Sequence, residues 1–434
     1  MEFEIAKQKW RLISQALEGD GSFHDMSIIT KHPRETDDKL ASRRAMTFYE
    51  NHIAKATNGF VGHIFKKPQL RDYGHVLLNL MIDDCDNCGN SMEVFFRRFA
   101  VDAKARGVMC LLVDMPKEIP SNLKEQKDKR AVPYLVSIKP EDIFDYQLDI
   151  FGKVEWATIL ISRIEKAPFD VDKIELTYRY FSKTEWRVYD SSKNVLEGGN
   201  HDLGVCPLLI FTESGNFPTV GEFEPIVNIS KSIAETRSLI YDIFRNQTFS
   251  ILAYHDPTKQ LESLDIGTDN ALVYTDNAPS FISPASNPAD SLQKEVDRLG
   301  ATIDHISYKI TDSKSAESGI SREYRFQDLN GALSWFAGAL EDIEKRAIDI
   351  AVGLLRVPYS ATIEWNRDFA IADRKSESEI LATTLTLGMG KAYDTQKKKQ
   401  FAKMDLQDLE EEDLQVVLDD IEQNNSEITN ANND

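Results

Sequence analysis

Three observations predict an α+β chain built from several lobes. Apolar residues recur at spacings of three and four over most of the sequence, which is the period of amphipathic helices. Residues 132–211 break that pattern with short stretches of Val, Ile, Tyr, Phe and Thr between turn clusters. At 434 residues, with 41% hydrophobic and 9% aromatic content, the chain folds as a globular protein too long for one simple core.

Residues 2–17 place Phe3, Ile5, Ala6, Trp10, Ile13 and Leu17 on one side of a helix that Gly19 ends. A second helix is expected over residues 37–65, from the spacing of Phe48, Tyr49, Ile53, Ala56, Phe60, Val61, Ile64 and Phe65, with Lys66-Lys67-Pro68 as its stop. Residues 91–106 form a third, with Met92, Phe95, Phe96 and Phe99 on one face. Gly107 breaks it, and residues 108–113 read as a buried strand. The segment 132–211 reads as an antiparallel meander in which 174–181 and 184–189 are neighbours. Tyr178, Tyr180, Trp186 and Tyr189 line their faces, and turns fall at Asp190-Ser191-Ser192-Lys193-Asn194 and Gly198-Gly199-Asn200.

Helical periodicity returns over residues 222–249, with Pro225 near the first turn and Ile226, Ile229, Ile233, Ile240 and Phe244 on one side. A short insert follows, with strands at 249–253 and 271–274 and breakers at Pro279 and Pro284. Asn287-Pro288-Ala289-Asp290 then opens a helix to residue 310, since Asn caps, Pro fits the first position and the Asp carboxylate faces the positive helix end. Its residues Leu292, Val296, Leu299, Ile303, Ile306 and Ile310 alternate four and three apart. That seam suits a helix packed along a partner helix, and equally an amphipathic helix on an ordinary core.

The segment Thr311-Asp312-Ser313-Lys314-Ser315-Ala316-Glu317-Ser318-Gly319 is small and polar, without an apolar anchor, and predicts an exposed, mobile loop. Lys314 in its middle either meets phosphate transiently or is simply solvated. A long helix is expected over 321–355, with Tyr324, Leu329, Leu333, Phe336, Leu340, Ile343, Ala347 and Ile350 on its apolar face. Gly331 and Gly338 each cost about 1 kcal/mol there relative to Ala and predict a bend or a close helix contact. After Pro358 come a strand at 362–365 and a helix at 374–387. Residues 405–434 contain no Lys or Arg and predict a short acidic helix before an Asn-rich disordered end.

The formal net charge of -20 argues against a sequence-independent DNA clamp, because duplex affinity comes mainly from Lys and Arg neutralising phosphates. It leaves a DNA conduit open, since a wall that repels phosphate lets a duplex slide; acidity serving only solubility fits as well. No Gly-x-x-x-x-Gly-Lys-Ser/Thr segment exists, so a motor acting on DNA would be another polypeptide. Cys85-Asp86-Asn87-Cys88 has the spacing of a zinc knuckle or redox pair, but Cys110 and Cys206 form no second pair, and the segment is read as a turn into the third helix. Neither metal nor cofactor is expected. The eight histidines are scattered, and neither His-Glu-x-x-His nor Gly-x-Ser-x-Gly occurs. No catalytic residue is nominated and the chain is read as a non-enzyme, although an active site assembled from distant residues would leave no motif. Arg43-Arg44, Lys66-Lys67, Arg97-Arg98 and Lys397-Lys398-Lys399 are read as solvated helix faces. No apolar run is long enough to span a bilayer, and Met1-Glu2-Phe3-Glu4 lacks a basic region followed by an apolar core. An unprocessed product with reduced thiols and no membrane partner is therefore expected.

Local stretches carry a family likeness: Trp10-Arg11-Leu12-Ile13, residues 44–68 with Phe48-Tyr49-Glu50-Asn51 and Gly62-His63-Ile64-Phe65-Lys66-Lys67-Pro68, residues 107–114, and Val132-Pro133-Tyr134-Leu135. With the order of elements, they give a chain that resembles, over nearly its whole length, the portal proteins of tailed bacteriophages. The resemblance implies a wing over 1–221, a first stem helix over 222–249, a clip over 250–286 and a second stem helix over 287–310. A tunnel loop over 311–321 would face DNA through Thr311, Asp312, Ser313, Lys314, Ser315, Ala316, Glu317 and Ser318, followed by further wing over 322–390 and a crown with acidic tail over 391–434. The tail is short for that family. The clip residues Tyr254, His255, Asp256, Leu264 and Tyr274 would meet the terminase large subunit and then the head-tail adaptor proteins. Portal-like subunits form a ring, typically of twelve copies, at one vertex of a shell of major capsid protein, and conduct double-stranded DNA. The virion, and host cytoplasm during assembly, would be its locations. Two other readings stand beside this one: a virion ring component that never touches DNA, and a cytosolic metal-dependent hydrolase.

Overall fold

The computed structural model describes residues 2–165, 173–248, 251–253, 280–282, 287–309, 319–367, 369, 381–386, 390–406 and 411–430. They fall into two compact units, 1–368 and 369–434. The first opens with α1 (Phe3–Glu18), α2 (Asp37–Met46), α3 (His52–Ile64), β1 (Leu70–Asp72), α4 (Val76–Asp83), α5 (Met92–Arg106), β2 (Val108–Asp114) and α6 (Leu123–Asp128). The strands β3 (Tyr134–Ile138), β4 (Ile143–Leu148), β5 (Val154–Glu165), β6 (Lys173–Ser182), β7 (Glu185–Tyr189), β8 (Val195–Asn200) and β9 (Leu208–Thr212) follow. Then come α7 (Glu224–Thr248), β10 (Ile251–Ala253), β11 (Ser280–Ile282), α8 (Asn287–Ile306), α9 (Gly319–Leu355) and β12 (Thr362–Glu364). The chain is thus α+β, with helical segments on either side of a strand-rich stretch.

α1 buries Ala6, Trp10, Ile13 and Ala16 and stops at Gly19, whose φ of 68° lets its N–H reach the Gln15 carbonyl. The single helix expected over 37–65 is two helices, α2 and α3, separated by residues 47–51. Asn51 ends the continuity: its Oδ1 caps the Ala54 N–H at 2.9 Å while its Nδ2 donates to the Leu17 carbonyl at 2.8 Å. The Tyr49 hydroxyl donates to the Ala16 carbonyl at 3.1 Å, and Phe48, placed on the apolar face by its spacing, is 55% exposed. A cap and two bonds to the end of α1 outweigh helical spacing at these residues.

α5 begins with the Ser91 hydroxyl accepting from the Val94 N–H and ends at Gly107, φ 76°. A β-carbon at Gly107 would lie 2.2 Å from the Gly221 backbone nitrogen, and the Gly221 N–H donates to the Arg106 carbonyl at 2.8 Å. The approach of the chain to α7 therefore runs against the bare backbone of α5. Gly107→Ala is expected to destabilise the fold by about 2 kcal/mol or more, from left-handed strain added to a backbone clash. Urea unfolding measures it, and an unchanged midpoint would remove the close-approach argument.

The expected single meander divides into two antiparallel sheets, ordered β3-β2-β9 and β4-β5-β6-β7-β8. β9 leaves the meander because Leu208, Leu209 and Phe211 bury best against β2, where Leu112 faces Leu208 and Val108 faces Thr212. β6 and β7 are neighbours, with Tyr178 opposite Tyr189 and Phe181 opposite Trp186. Cys110, Leu112, Ile138, Ile143, Val154, Ile159, Phe181 and Leu208 share one core that joins the sheets. β1 pairs with β12 and ties the chain after α9 back to the first lobe.

α9 starts at Gly319, inside the segment expected as loop, and buries Leu333, Phe336, Leu340, Ile343, Ala347 and Ile350. At Gly338 the close neighbour is the Arg367 guanidinium, 3.3 Å from where a β-carbon would sit, and Gly331 faces open space. In the second unit residues 381–386 are helical, and α10 (Lys391–Asp405) packs on α11 (Glu411–Asn430) with Lys399 donating to Glu422 at 2.6 Å. α11 reaches Asn430, so the Asn-rich stretch expected to be disordered is helical to that point. Among the described residues no helix is long and apolar enough to cross a membrane.

Candidate functional site

The candidate site is the helical hairpin α7–α8 and the buried charges at its base. α7, of 25 residues, is about 37 Å long, and α8, of 20 residues, about 30 Å. α7 buries Ile226, Val227, Ile233, Ala234 and Ile240, packing on α2 and α3 and along α8. β10 and β11 pair antiparallel at its far end, Ile251 opposite Ile282, so the chain returns through α8. In α8 the seam residues Val296, Leu299 and Ile303 are buried, and Leu292 and Ile306 are half-buried. The helix ends at Ile306 rather than 310: Tyr308 has φ 55°, which directs the chain away from the helix axis. Ile310 lies outside the described residues.

Both ends of the hairpin meet at one carboxylate. Glu222, just before α7, accepts from the Tyr308 hydroxyl at 3.2 Å through Oε2, while its Oε1 accepts from the Lys104 ammonium. Lys104, 1% exposed, also donates to Glu213 at the end of β9. The rings of Phe60, Phe223 and Phe336 surround its Nζ at 4.1, 4.7 and 5.4 Å. The Trp335 indole of α9 donates to the Glu213 carbonyl at 3.2 Å. Burial raises the Glu213 carboxyl above its ordinary range, against the pull of Lys104. Burial, with the Glu222 carboxylate second, pushes the Tyr308 hydroxyl up to about 12. α3, α5, β9, α7, α8 and α9 thus converge on a single buried cation.

Three further buried charge clusters lie in the same unit. Arg106, fully buried, donates to Asp102 at 2.6 Å and to the Ser14 hydroxyl at 2.7 Å, and Ser14 in turn donates to Glu141. Glu344, also fully buried, accepts from Arg71 at 2.8 Å, Tyr73 at 2.7 Å and Trp365 at 2.8 Å. Arg43, read from sequence as part of a solvated face, is 2% exposed. It donates to Glu35 at 2.7 Å, Ser238 of α7 at 2.7 Å and the Thr30 carbonyl at 2.8 Å, so it ties α2 to the hairpin. Arg106 and Asp102 are an i,i+4 pair within α5, while the other partnerships have no local motif and join residues from eight to 273 positions apart.

The proposed tunnel-loop residues Thr311, Asp312, Ser313, Lys314, Ser315, Ala316, Glu317 and Ser318 lie outside the described residues, as do Tyr254, His255, Asp256, Leu264 and Tyr274 of the insert. The turn expected at Cys85-Asp86-Asn87-Cys88 is present, with positive φ at Asn87 and Gly89. Cys85 is buried, Cys88 exposed, and both thiols are free. Burial pushes the Cys85 thiol far up and the Cys206 thiol up to about 11, which holds both protonated. Among the described residues no group of three or more His, Cys, Asp or Glu side chains is arranged to hold a metal ion.

No family profile and no curated protein matches the sequence. In structure the chain is similar to chains of gene transfer agent (GTA) particles. One belongs to the virion of a native particle, at TM-score 0.41 and 10% identity over 85% of this chain and 94% of that one. A second is from the neck of an empty particle computed with C6 symmetry, at 0.41 and 10% over 85% and 95%. A third is from the neck of a native particle computed with C12 symmetry, at 0.42 and 10% over 88% and 98%.

Proposed function

We propose that the chain is the repeating subunit of a portal-like ring, of twelve copies, that stands at one vertex of a virion and conducts double-stranded DNA during packaging and ejection. The observation that carries this reading is the α7–α8 hairpin. Two long antiparallel helices leave the lobe and return to it at Glu222 and Tyr308, with a strand pair at the far end and the 37-residue α9 following the polar segment 311–318. Such hairpins repeated about an axis make a continuous wall, and a closed ring requires two unlike complementary faces on each subunit. The net charge of -20 per chain makes the ring as a whole acidic, which favours a duplex that slides without adhering. In this reading 250–286 is the clip that docks the terminase large subunit and later the adaptor proteins, 311–318 is the loop facing DNA, 391–434 is the crown, and the major capsid protein surrounds the ring. The protein itself carries no catalysis.

Electron microscopy of the purified protein tests the ring: a circular particle with an open central pore is expected, and single copies at every concentration would sink the reading. Deleting residues 311–318 is expected to leave ring assembly intact and to lower the DNA retained per particle, because a polar segment without apolar anchors adds little to the core. Full packaging by rings lacking these residues would remove their assignment to the channel.

A further inference from the structure

The two most exposed large apolar side chains among the described residues sit side by side at the β4–β5 turn: Ile150 at 92% and Phe151 at 79%. The turn is held rigid from within. Asp149 Oδ1 accepts from the Phe151 N–H at 2.8 Å and the Lys153 N–H at 2.9 Å, the Asp149 N–H donates to the Lys153 carbonyl at 2.8 Å, and Gly152 takes φ 77°. A knob ordered in advance loses little conformational entropy on docking. The other carboxylate oxygen, Oδ2, makes no hydrogen bond among the described residues.

A matching hole lies on the same sheet, over the neighbouring strands β6–β8. A cavity of about 570 Å³ opens between the chain leaving β2, the strands β6–β8 and the end of α9, and Phe181, Trp186, Leu203 and Leu354 give it apolar walls. The volume is that of a pocket able to take a pair of large side chains. Its charges are mostly spent: Lys117 pairs with Glu197 at 2.5 Å, Arg187 with Glu185 at 2.8 Å, and Tyr134 donates to Asp114 at 2.9 Å. Arg179 of β6 lines the same cavity beside Tyr134, and its guanidinium makes neither an ion pair nor a hydrogen bond among the described residues.

The knob cannot enter the hole of its own chain, because the β4–β5 and β5–β6 registers fix both in one sheet. We propose that the β4–β5 turn of one copy seats Ile150 and Phe151 in the β6–β8 cavity of the next copy, with its Asp149 facing that copy's Arg179. The complementary charges and unlike faces make the contact head-to-tail, the kind that closes a ring. The choice of a second copy as occupant rests on the ring reading above.

The test uses the full chain and sedimentation velocity. Phe151→Asp, at a surface turn, is expected to keep the fold and to weaken self-association by at least roughly thirtyfold, the scale of one interface hot spot. Arg179→Asp is expected to weaken it likewise, whereas Arg179→Lys, which keeps the charge facing Asp149, is expected to retain most of it. In a Cys88→Ser background, Phe151→Cys with Leu203→Cys is expected to give, on oxidation, a ladder of linked copies extending past the dimer. If the wild type forms rings while Phe151→Asp assembles equally well and no ladder appears, this contact is wrong and the ring stands. If the wild type never assembles, the ring reading falls and takes this contact with it.

Discussion

The double variant Ile303→Asp, Ile306→Asp is expected to lose the α7–α8 hairpin and every assembly built on it. Ile303 is 4% exposed and Ile306 half-buried on the face that packs along α7. Removing one buried aliphatic side chain forfeits about 2 kcal/mol of transfer free energy, and a carboxylate left there without a partner adds several more. For Ile303 alone the deficit is on the order of 5 kcal/mol, at the upper end of what single substitutions cost and comparable with the whole stability of many domains. The lobe keeps its own cores, so the expected signature is loss of a helical component by circular dichroism, protease entry within 224–306, and no particles by microscopy. Lys294→Asp, on the exposed side of the same helix, is the control and is expected to be neutral. Normal rings from the double variant would remove the seam.

That seam was legible in the sequence for a physical reason. A helix that buries one stripe repeats apolar residues every three or four positions, so α1, α5, α8 and α9 announce themselves, and Gly19 and Gly107 mark two of their ends. The break between α2 and α3 was not legible, because Phe48 and Tyr49 keep helical spacing while the bonds that decide the matter go to the carbonyls of Ala16 and Leu17, some thirty residues earlier. The division of the strands into two sheets depends likewise on β9 preferring β2 to β8, a choice between apolar partners that alternation does not reveal. α4 and α6, eight and six residues long, are too short to show a period. The base of the hairpin was the least legible part. Lys104, Glu213, Glu222 and Tyr308 are ordinary surface residue types in sequence, and only the fold gathers them around one buried cation. The roles of the loop residues 311–318 and of Tyr254, His255, Asp256, Leu264 and Tyr274 came from family likeness alone, and these residues lie outside the described ones.

Lys104→Met is expected to be the most damaging single substitution at that base. Methionine fills the aliphatic path of the lysine among Phe60, Phe223 and Phe336, so the change isolates the charge. What remains is Glu213, whose carboxyl burial already holds above its ordinary range, now beside Glu222 with no cation between them. Breaking a buried pair from one side costs about 3–5 kcal/mol, because the surviving charge stays desolvated. The sign of the pH dependence follows. A carboxyl whose value is higher in the folded chain than in the unfolded chain binds its proton more tightly when folded, so stability rises as pH falls through the folded value towards the unfolded one. The deficit of Lys104→Met is therefore expected to be greatest at neutral pH and above, and to shrink on acidification more than that of the wild type. Glu213→Gln added to Lys104→Met should recover part of the loss at neutral pH and flatten the pH dependence. Urea unfolding across the acidic to neutral range measures all three proteins. A Lys104→Met chain as stable as the wild type, or a deficit indifferent to pH, would mean that the cation does not hold the six elements together.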